Sequence, residues 1–360
     1  MSSFTVKTET FQNMLNKVSK CASRSKFSVL TNLVNVVLKN NKLSLTTTDT
    51  NNYLTVSETV TGEDTSFTVN VETFTKLISK ISTDSITIEL TNDTIIVKGN
   101  GTYKLPIQLD VDETPIKYPV KTINNPEKQG VIKTAIIKNI IINNKSSVAL
   151  TMENPCLTGY LCTEDSVVSA DAFNVCVYSV KTFGKKILIS PVVFDLLSMV
   201  SDEEINYKID GNFIMFETSN LTLFSTLMEG SEDYPIDTVN QLISKEYPSK
   251  CVVPKTEFLN IIDRLSLFIN DNDQNGLYLT FTKSGLKVES AHGDGIENVP
   301  YQGSENFSDF TCFANVDSLK RQISYKVGES VNMCYGDEDT LMITQDNVKQ
   351  LSSLMTDDRE

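Results

Sequence analysis

Asp271-Asn272-Asp273-Gln274-Asn275-Gly276 is the part of this 360-residue chain that most resembles a metal-binding loop, with side-chain oxygens at the first, third and fifth places and a glycine at the sixth. The twelfth place, where a calcium loop needs a bidentate carboxylate, is Thr282. The intervening Leu277-Tyr278-Leu279-Thr280-Phe281 reads as a strand, so no metal site is expected. Asp337-Glu338-Asp339 offers paired carboxylates of the kind hydrolysis uses, but no neighbouring sequence would shift a pKa, and a polar hairpin turn accounts for it. Gly99-Asn100-Gly101 lacks the following helix and lysine of a phosphate-cradling loop. A single histidine, His292, sits in His292-Gly293-Asp294-Gly295 and leaves triads and multi-histidine metal sites little to draw on. The seven cysteines (Cys21, Cys156, Cys162, Cys176, Cys251, Cys312, Cys334) are odd in number, scattered and never spaced C-x-x-C, which fits reduced core thiols. Neither catalysis nor a cofactor has a foothold, and an enzyme is not expected.

What remains chemically is charge. The chain is acidic, with 46 Asp and Glu against 32 Lys and Arg and a net charge of −14. Such a balance ordinarily argues against nucleic acid, because phosphate binding depends on basic side chains displacing counterions. Its distribution argues otherwise, and the distribution follows from a repeat. An extended apolar residue is followed five places later by a large apolar residue that opens a helical stripe: Val6 to Phe11, Val69 to Phe74, Val131 to Ile136, Ile189 to Phe194, Val253 to Phe258 and Ala314 to Leu319. The copies are 58 to 64 residues apart across the whole chain.

After each anchor the apolar residues fall on one helical face, as in Phe11, Met14, Leu15, Val18, in Phe74, Leu77, Ile78, Ile81, and in Phe258, Ile261, Ile262, Leu265. Thr8 and Glu9, Glu72 and Thr73, Ser190 and Pro191, Thr256 and Glu257, and Asp317 and Ser318 stand where a cap and first-turn negative charge belong. Between helices, period-two alternation breaks at Asn40-Asn41, Asp210-Gly211 and Ser284-Gly285, the signature of antiparallel hairpins. Each unit of one helix and three or four strands would leave an apolar helix face uncovered alone, so units are expected to pair. The polar, proline-bearing stretches 118–130 and 244–250 divide the chain into three domains, 1–125, 126–247 and 248–360.

The ten-residue windows that begin at the six anchors contain ten basic and four acidic residues; the other 300 residues contain 22 and 42. Positive charge is therefore gathered on the helices, the footprint of a surface that reads a phosphate backbone. If the helices share one side of the assembly, Lys17, Lys20, Lys76, Lys80, Lys138, Lys145, Arg264, Lys320 and Arg321 would face a common lumen within an acidic exterior. The fourth window departs, with Asp195, Asp202 and Glu203 and no basic residue.

The run from Phe4 to Asp49, ending in Thr48-Asp49, the second helix entry FTVNVETFTKLISKI, the turn Leu227 to Pro235 and the entry VPKTEFLNIIDRLSLF together resemble the bacterial replicative clamp, the β subunit of DNA polymerase III, over the full length. The resemblance implies an α+β DNA-clamp fold, with three tandem domains each of two helix-plus-antiparallel-sheet repeats. It further implies a head-to-tail homodimeric ring on double-stranded DNA, with a DNA polymerase and a clamp loader as partners and no membrane. Arg24 and Lys26 fall at the family's basic loop. The family's pocket for short peptides with hydrophobic anchors, between middle and last domains, carries over to Leu157, Ala170, Ala172, Phe173, Asn174, Val175, Pro235, Val239, Leu354 and Met355. Ala170-Asp171-Ala172-Phe173-Asn174-Val175 departs from the family's Thr-Asp-Gly-His-Arg-Leu, and the chain continues past the usual apolar end into Thr356-Asp357-Asp358-Arg359-Glu360, which points to altered peptide selectivity and a phage or divergent member. With no leader-like N-terminus and no apolar run of about 18 residues, a cytoplasmic protein is expected. The competing reading, an acidic β-rich repeat protein that binds or scaffolds without encircling DNA, would have no use for positive charge gathered on helices.

Overall fold

A computed structural model of the chain describes residues 2–23, 28–110, 112, 114, 116–270, 274–324, 326 and 328–356. Its helices are α1 (Thr8–Val18), α2 (Val71–Ser79), α3 (Thr134–Asn144), α4 (Pro191–Leu197), α5 (Ile236–Ile243), α6 (Lys255–Leu265) and α7 (Val316–Ser324). Apart from α5, each begins three residues before a large buried side chain: Phe11, Phe74, Ile137, Phe194, Phe258 or Leu319. In the third copy this corrects the sequence register by one. Ile132 and Ile137 are buried, whereas Val131 is exposed and Ile136 only half-buried, so the repeat there starts at Ile132. Val131-Ile132 and Ile136-Ile137 are adjacent apolar pairs at the two ends of the motif, so apolar spacing alone fits either register.

The capping assignments are corrected as well. Glu9, Glu72, Glu257 and Asp317 do lie in first turns, where they complement the helix dipole. Side-chain caps are made at α2 and α7, by asparagines one place before the helix: Asn70 Oδ1 accepts from the Thr73 amide at 3.0 Å, and Asn315 Oδ1 from the Ser318 amide at 3.0 Å, while Lys7 before α1 and Pro254 before α6 make none. Asp202 and Glu203 lie beyond the end of α4, in a turn where their carbonyls accept from Thr134, so most of the acidic departure in the fourth window is not helical.

The strands form four antiparallel sheets. One, in spatial order, contains Ser2–Lys7, Ser85–Leu90, Thr94–Lys98 and Thr102–Pro106. A second, of eight strands, contains Thr65–Asn70, Leu33–Lys39, Lys42–Thr48, Asn52–Thr59, Leu221–Thr226, Phe213–Glu217, Glu204–Asp210 and Lys128–Lys133. A third, of nine, contains Ile187–Ile189, Tyr160–Cys162, Ser166–Ala170, Asn174–Ser179, Val348–Ser353, Thr340–Gln345, Ser330–Tyr335, Ser249–Pro254 and Gly303–Glu305. The fourth contains Ile296–Val299, Gly285–Ser290, Gly276–Thr282 and Phe310–Asn315. The expected hairpins are present: Lys39 pairs with Lys42 across Asn40 and Asn41, both at positive φ, and Asp210 with Phe213 across Gly211 at φ +52°.

The chain divides into two compact units, residues 1–135 with 195–227, and residues 136–194 with 228–360. In the first, Phe11 meets Phe4 and Phe74 edge-on at 6.4 and 5.6 Å, and Phe74 meets Phe67 at 6.5 Å, so α1 and α2 are pinned side by side. In the second, Phe258, Ile261, Ile262 and Leu265 of α6 and Leu319 and Ile323 of α7 share a core with a stacked Phe281–Tyr335 pair at 3.9 Å. All seven cysteines are buried and unpaired, and burial pushes the Cys162, Cys176 and Cys312 thiols up to about 12. No helix is long and apolar enough to cross a membrane among the described residues.

One buried charge stands out in the second unit. Lys326 is 4% exposed, its Nζ has no hydrogen-bond partner among the described residues, and burial pushes its pKa from 10.5 down to about 8. Its electrostatic neighbour, the Cys176 thiol, offsets only part of that penalty. The unfolded chain binds this proton more tightly, so the contribution of Lys326 to stability rises as pH climbs from about 8 to 10.5, by up to about 3 kcal/mol for a shift of this size, while the buried thiols, held protonated in the fold, act in the opposite direction above about 9. Urea unfolding at pH 7.5 and 10 checks this: Lys326→Met should raise the midpoint above wild type at pH 7.5, and that advantage should shrink at pH 10.

Candidate DNA and peptide interfaces

The helices place most of the basic residues at their C-terminal ends. Lys17, Lys76, Arg264 and Arg321 occupy last turns, while Lys20 and Lys80 follow the ends of α1 and α2. A cation there is favoured by the helix dipole. The residues differ in what holds them. Lys76 pairs with Glu72 at 2.6 Å, Lys320 with Asp263 at 2.6 Å, and Arg264 donates from Nε to Glu297 at 2.8 Å. Lys17, Lys20, Lys80 and Lys138 make no ion pair among the described residues, and all but the half-buried Lys17 are exposed. In the first unit α1 and α2 lie together and run antiparallel: Gln12 Nε2, near the start of α1, donates to the carbonyls of Ile78 and Ile81 at the end of α2 at 2.9 and 3.0 Å, while Ser19 and Ala22 past the end of α1 line one cavity with Asn70 and Val71 at the start of α2, so Lys17 and Lys20 lie at one end of the pair and Lys80 at the other. Lys145 is exposed in the short turn after α3. Arg24 and Lys26 lie outside the described residues, as do Asp271, Asn272 and Asp273.

The residues expected to form the peptide pocket fall into two groups, both within the second unit. Ala170, Val175 and Val239 are buried in one hydrophobic cluster with Tyr234 and Leu351, and half-buried Leu157 packs on it. Pro235, just before α5, is half-buried and Ala172 is exposed at a turn. Phe173, Asn174, Leu354 and Met355 instead line a cavity of about 580 Å³, together with Ser318 and Arg321 of α7. Arg321, expected on a DNA-facing surface, is thus found in the wall of this cavity.

The floor of the cavity is the end of the described chain, tied down by main-chain bonds on three sides. The Ser353 amide donates to the Phe173 carbonyl at 2.8 Å, Leu354 to Asp339 at 2.7 Å, and Met355 to Phe313 at 2.8 Å. Gly276 beneath it has no room for a side chain, since a Cβ would run into Phe313 and Met355. Above it Phe173 is 68% exposed.

Asn174 is 2% exposed and fully engaged. Its Nδ2 donates to both Asp171 oxygens at 3.1 Å, and its Oδ1 accepts from Gln322 Nε2 and Ser352 Oγ at 3.0 Å each and from Ser318 Oγ. Gln322 in turn donates to Ser352 Oγ at 2.7 Å. The same turn occurs in the first unit, where Asn52 Nδ2 donates to Asp49 at 2.8 Å and Ser225 Oγ to Asn52 Oδ1 at 2.7 Å. The resemblance points to Thr48-Asp49 and Asn174 but not to Gln322, Ser318 or Ser352; the Asp-x-x-Asn spacing shared by Asp49 and Asp171 is the sequence signal that marks both turns.

Residues 2–119 match the family described as DNA polymerase III beta subunit, N-terminal domain. The structure superposes on the DNA polymerase sliding clamp of Bacillus subtilis with a TM-score of 0.85 over 99% of both chains at 20% identity, and on the β subunit of Streptococcus pyogenes DNA polymerase with a TM-score of 0.85 over 98% of this chain and 99% of that one at 17% identity. The fold is that of a DNA sliding clamp. Among curated proteins, the beta sliding clamp of Staphylococcus aureus is 26% identical over 317 residues, covering 81% of this chain and 80% of the relative. The resemblance to the DNA polymerase III β subunit therefore extends well beyond its N-terminal domain.

Within this clamp fold, the carboxamide of Asn174 is spent on internal bonds. Replacing it by leucine would strand the polar groups of Asp171, Ser318, Gln322 and Ser352 in a buried site, at a cost of roughly 2–4 kcal/mol. Asn174→Leu is expected to lower the unfolding free energy by that amount in urea titration and to speed amide exchange in strands Asn174–Ser179 and Val348–Ser353, while exchange in the first unit stays unchanged.

Proposed function

We propose that this chain is a non-catalytic DNA sliding clamp: two copies close head to tail around double-stranded DNA, tether a replicative DNA polymerase as its processivity factor, and receive the polymerase and a clamp loader through the peptide cavity beside Phe173. The three-domain partition 1–125, 126–247 and 248–360 would give a six-domain ring in the cytoplasm. The observation that carries this reading is that an acidic chain with the clamp fold keeps Lys17, Lys20, Lys80 and Lys138 without ion pairs, among the described residues, on or beside its helices. Such residues would contact phosphates without reading bases.

Closure has its own support. Each four-stranded sheet has one covered edge and one open edge. In the first unit, Phe4 on the edge strand Ser2–Lys7 bridges to Gly62, while nothing described pairs with the outer side of Thr102–Pro106. In the second, Phe313 bridges to Met355, while the outer side of Ile296–Val299 is open among the described residues and carries Ile296 at 51% exposure. The short turn after α6 presents Leu267, 82% exposed, and Phe268. Open edges flanked by apolar side chains bind other strands unless covered, and a head-to-tail pairing of one kind of edge with the other covers both.

The deciding experiment is retention on nicked circular plasmid after loading, compared with the same plasmid linearised. The protein should remain on circles and run off linear ends. The quadruple Lys17→Glu, Lys20→Glu, Lys80→Glu, Lys138→Glu variant should dissociate at least about tenfold faster and show a shallower salt dependence, by about 0.9 in log–log slope for each phosphate no longer neutralised. Equal retention on circles and linear DNA would refute encirclement. Separately, Leu267→Asp with Phe268→Ala should convert the dimer to a folded monomer in sedimentation velocity.

A further inference from the structure

We propose that the cavity beside Phe173 selects an acidic, apolar peptide segment, with Arg321 as the residue that reads the carboxylate. This deepens the reading of the cavity as the partner-peptide site and rests on it. One side of the cavity is apolar: exposed Phe173 above, half-buried Leu354 and Met355 below, the latter two held by main-chain bonds and so presented as a fixed surface. The opposite wall carries Arg321, half-buried, whose Nε makes a 3.3 Å bond to the Asp317 carbonyl. Its guanidinium has no carboxylate partner among the described residues. The nearest carboxylate on its own helix, Asp317, also lines the cavity, but it makes no ion pair with Arg321 and accepts instead from Asn275 Nδ2 at 2.8 Å.

The two adjacent basic residues of α7 are therefore sorted. Lys320 is spent on Asp263, and Arg321 faces the cavity with open donors. A planar guanidinium in a partly dry wall matches a carboxylate through two parallel hydrogen bonds, and it costs less desolvation than an ammonium would. Asn174, where the family's stretch has a basic residue, cannot serve this role, because its carboxamide is bonded to Asp171, Ser318, Gln322 and Ser352. At about 580 Å³ the cavity is within the range that holds a few residues of an extended ligand. An apolar side chain lying on Phe173 and Met355 would leave a neighbouring Asp or Glu beside Arg321.

Fluorescence anisotropy with the full chain and two labelled probes, Ser-Asp-Leu-Phe-Ser and Ser-Asn-Leu-Phe-Ser, tests this. The wild-type protein should bind the Asp probe about fivefold or more tightly than the Asn probe. Arg321→Gln should bring the ratio near one, and Lys320→Gln should leave it unchanged. Equal affinities in the wild type, or an undiminished ratio in Arg321→Gln, overturn the proposal; binding of neither probe overturns it together with the peptide-site reading. Plasmid retention measured on the same variant separates these failures from failure of the clamp reading: unchanged retention agrees with a peptide-reading Arg321, and lost retention returns the residue to the DNA surface.

Discussion

The second unit hangs from one backbone ladder. Strand Asn174–Ser179 pairs with Val348–Ser353 residue for residue, Asn174 with Ser352 and Tyr178 with Val348, bringing together segments that lie far apart in the sequence. The ladder makes a nine-stranded sheet out of what would otherwise be two smaller ones, and it sets the register of everything laid on it. Because Asn174 is opposite Ser352, its carboxamide meets the serine hydroxyl and the Gln322 amide from α7. Because Ser353 follows, its amide reaches the Phe173 carbonyl and the chain end is led across the cavity. A slip of one residue would exchange the faces of Leu351 and Gln350, both buried, putting an amide into the hydrophobic cluster and a leucine among the polar groups that Gln350 now bonds.

Polar groups buried beside the ladder give it specificity at a cost in stability. Gln350 donates to the Asn143 carbonyl at 2.7 Å and to Ser146 Oγ at 3.1 Å, and Asn144 donates to the Val167 carbonyl and Ser169 Oγ at 3.2 Å each. These bonds join the end of α3 and its following turn to strands of the sheet. Each requires one geometry, whereas an apolar seam of the same volume would accept several. Lys326 sits at the expensive end of this arrangement, buried with no hydrogen-bond partner for its ammonium among the described residues. The first unit uses a lighter version of the device, with Asn52, Asp49 and Ser225, over a core in which Phe4, Phe11, Phe67 and Phe74 do most of the holding.

Helices and hairpins were legible in the sequence because each rests on local chemistry. Phe258, Ile261, Ile262 and Leu265 bury as their spacing requires, and Asn40-Asn41 turns as its tolerance of positive φ allows. Helix α5 is different: Ile236, Val239 and Ile243 follow Tyr234-Pro235 with no preceding strand, outside the repeat that makes the others conspicuous. The candidate site was legible in part. Charge accumulation marks Arg321 as functional in character but cannot say which surface it faces, since residues 320 and 321 differ by a rotation of about 100° around the helix axis. The network around Asn174 was hidden for a different reason: its members come from separate elements and share no spacing.

The C-terminal segment has two duties that cannot be changed independently. Met355 bridges to Phe313 and so covers the outer edge of strand Phe310–Asn315, and the same residue is part of the cavity floor. A ligand that lifted this segment would uncover a row of main-chain donors and acceptors in the same step. Trimming of the chain before Met355, by a protease or a premature stop, would leave a sheet with both borders unsatisfied and a protein prone to join its neighbours in an unbounded array.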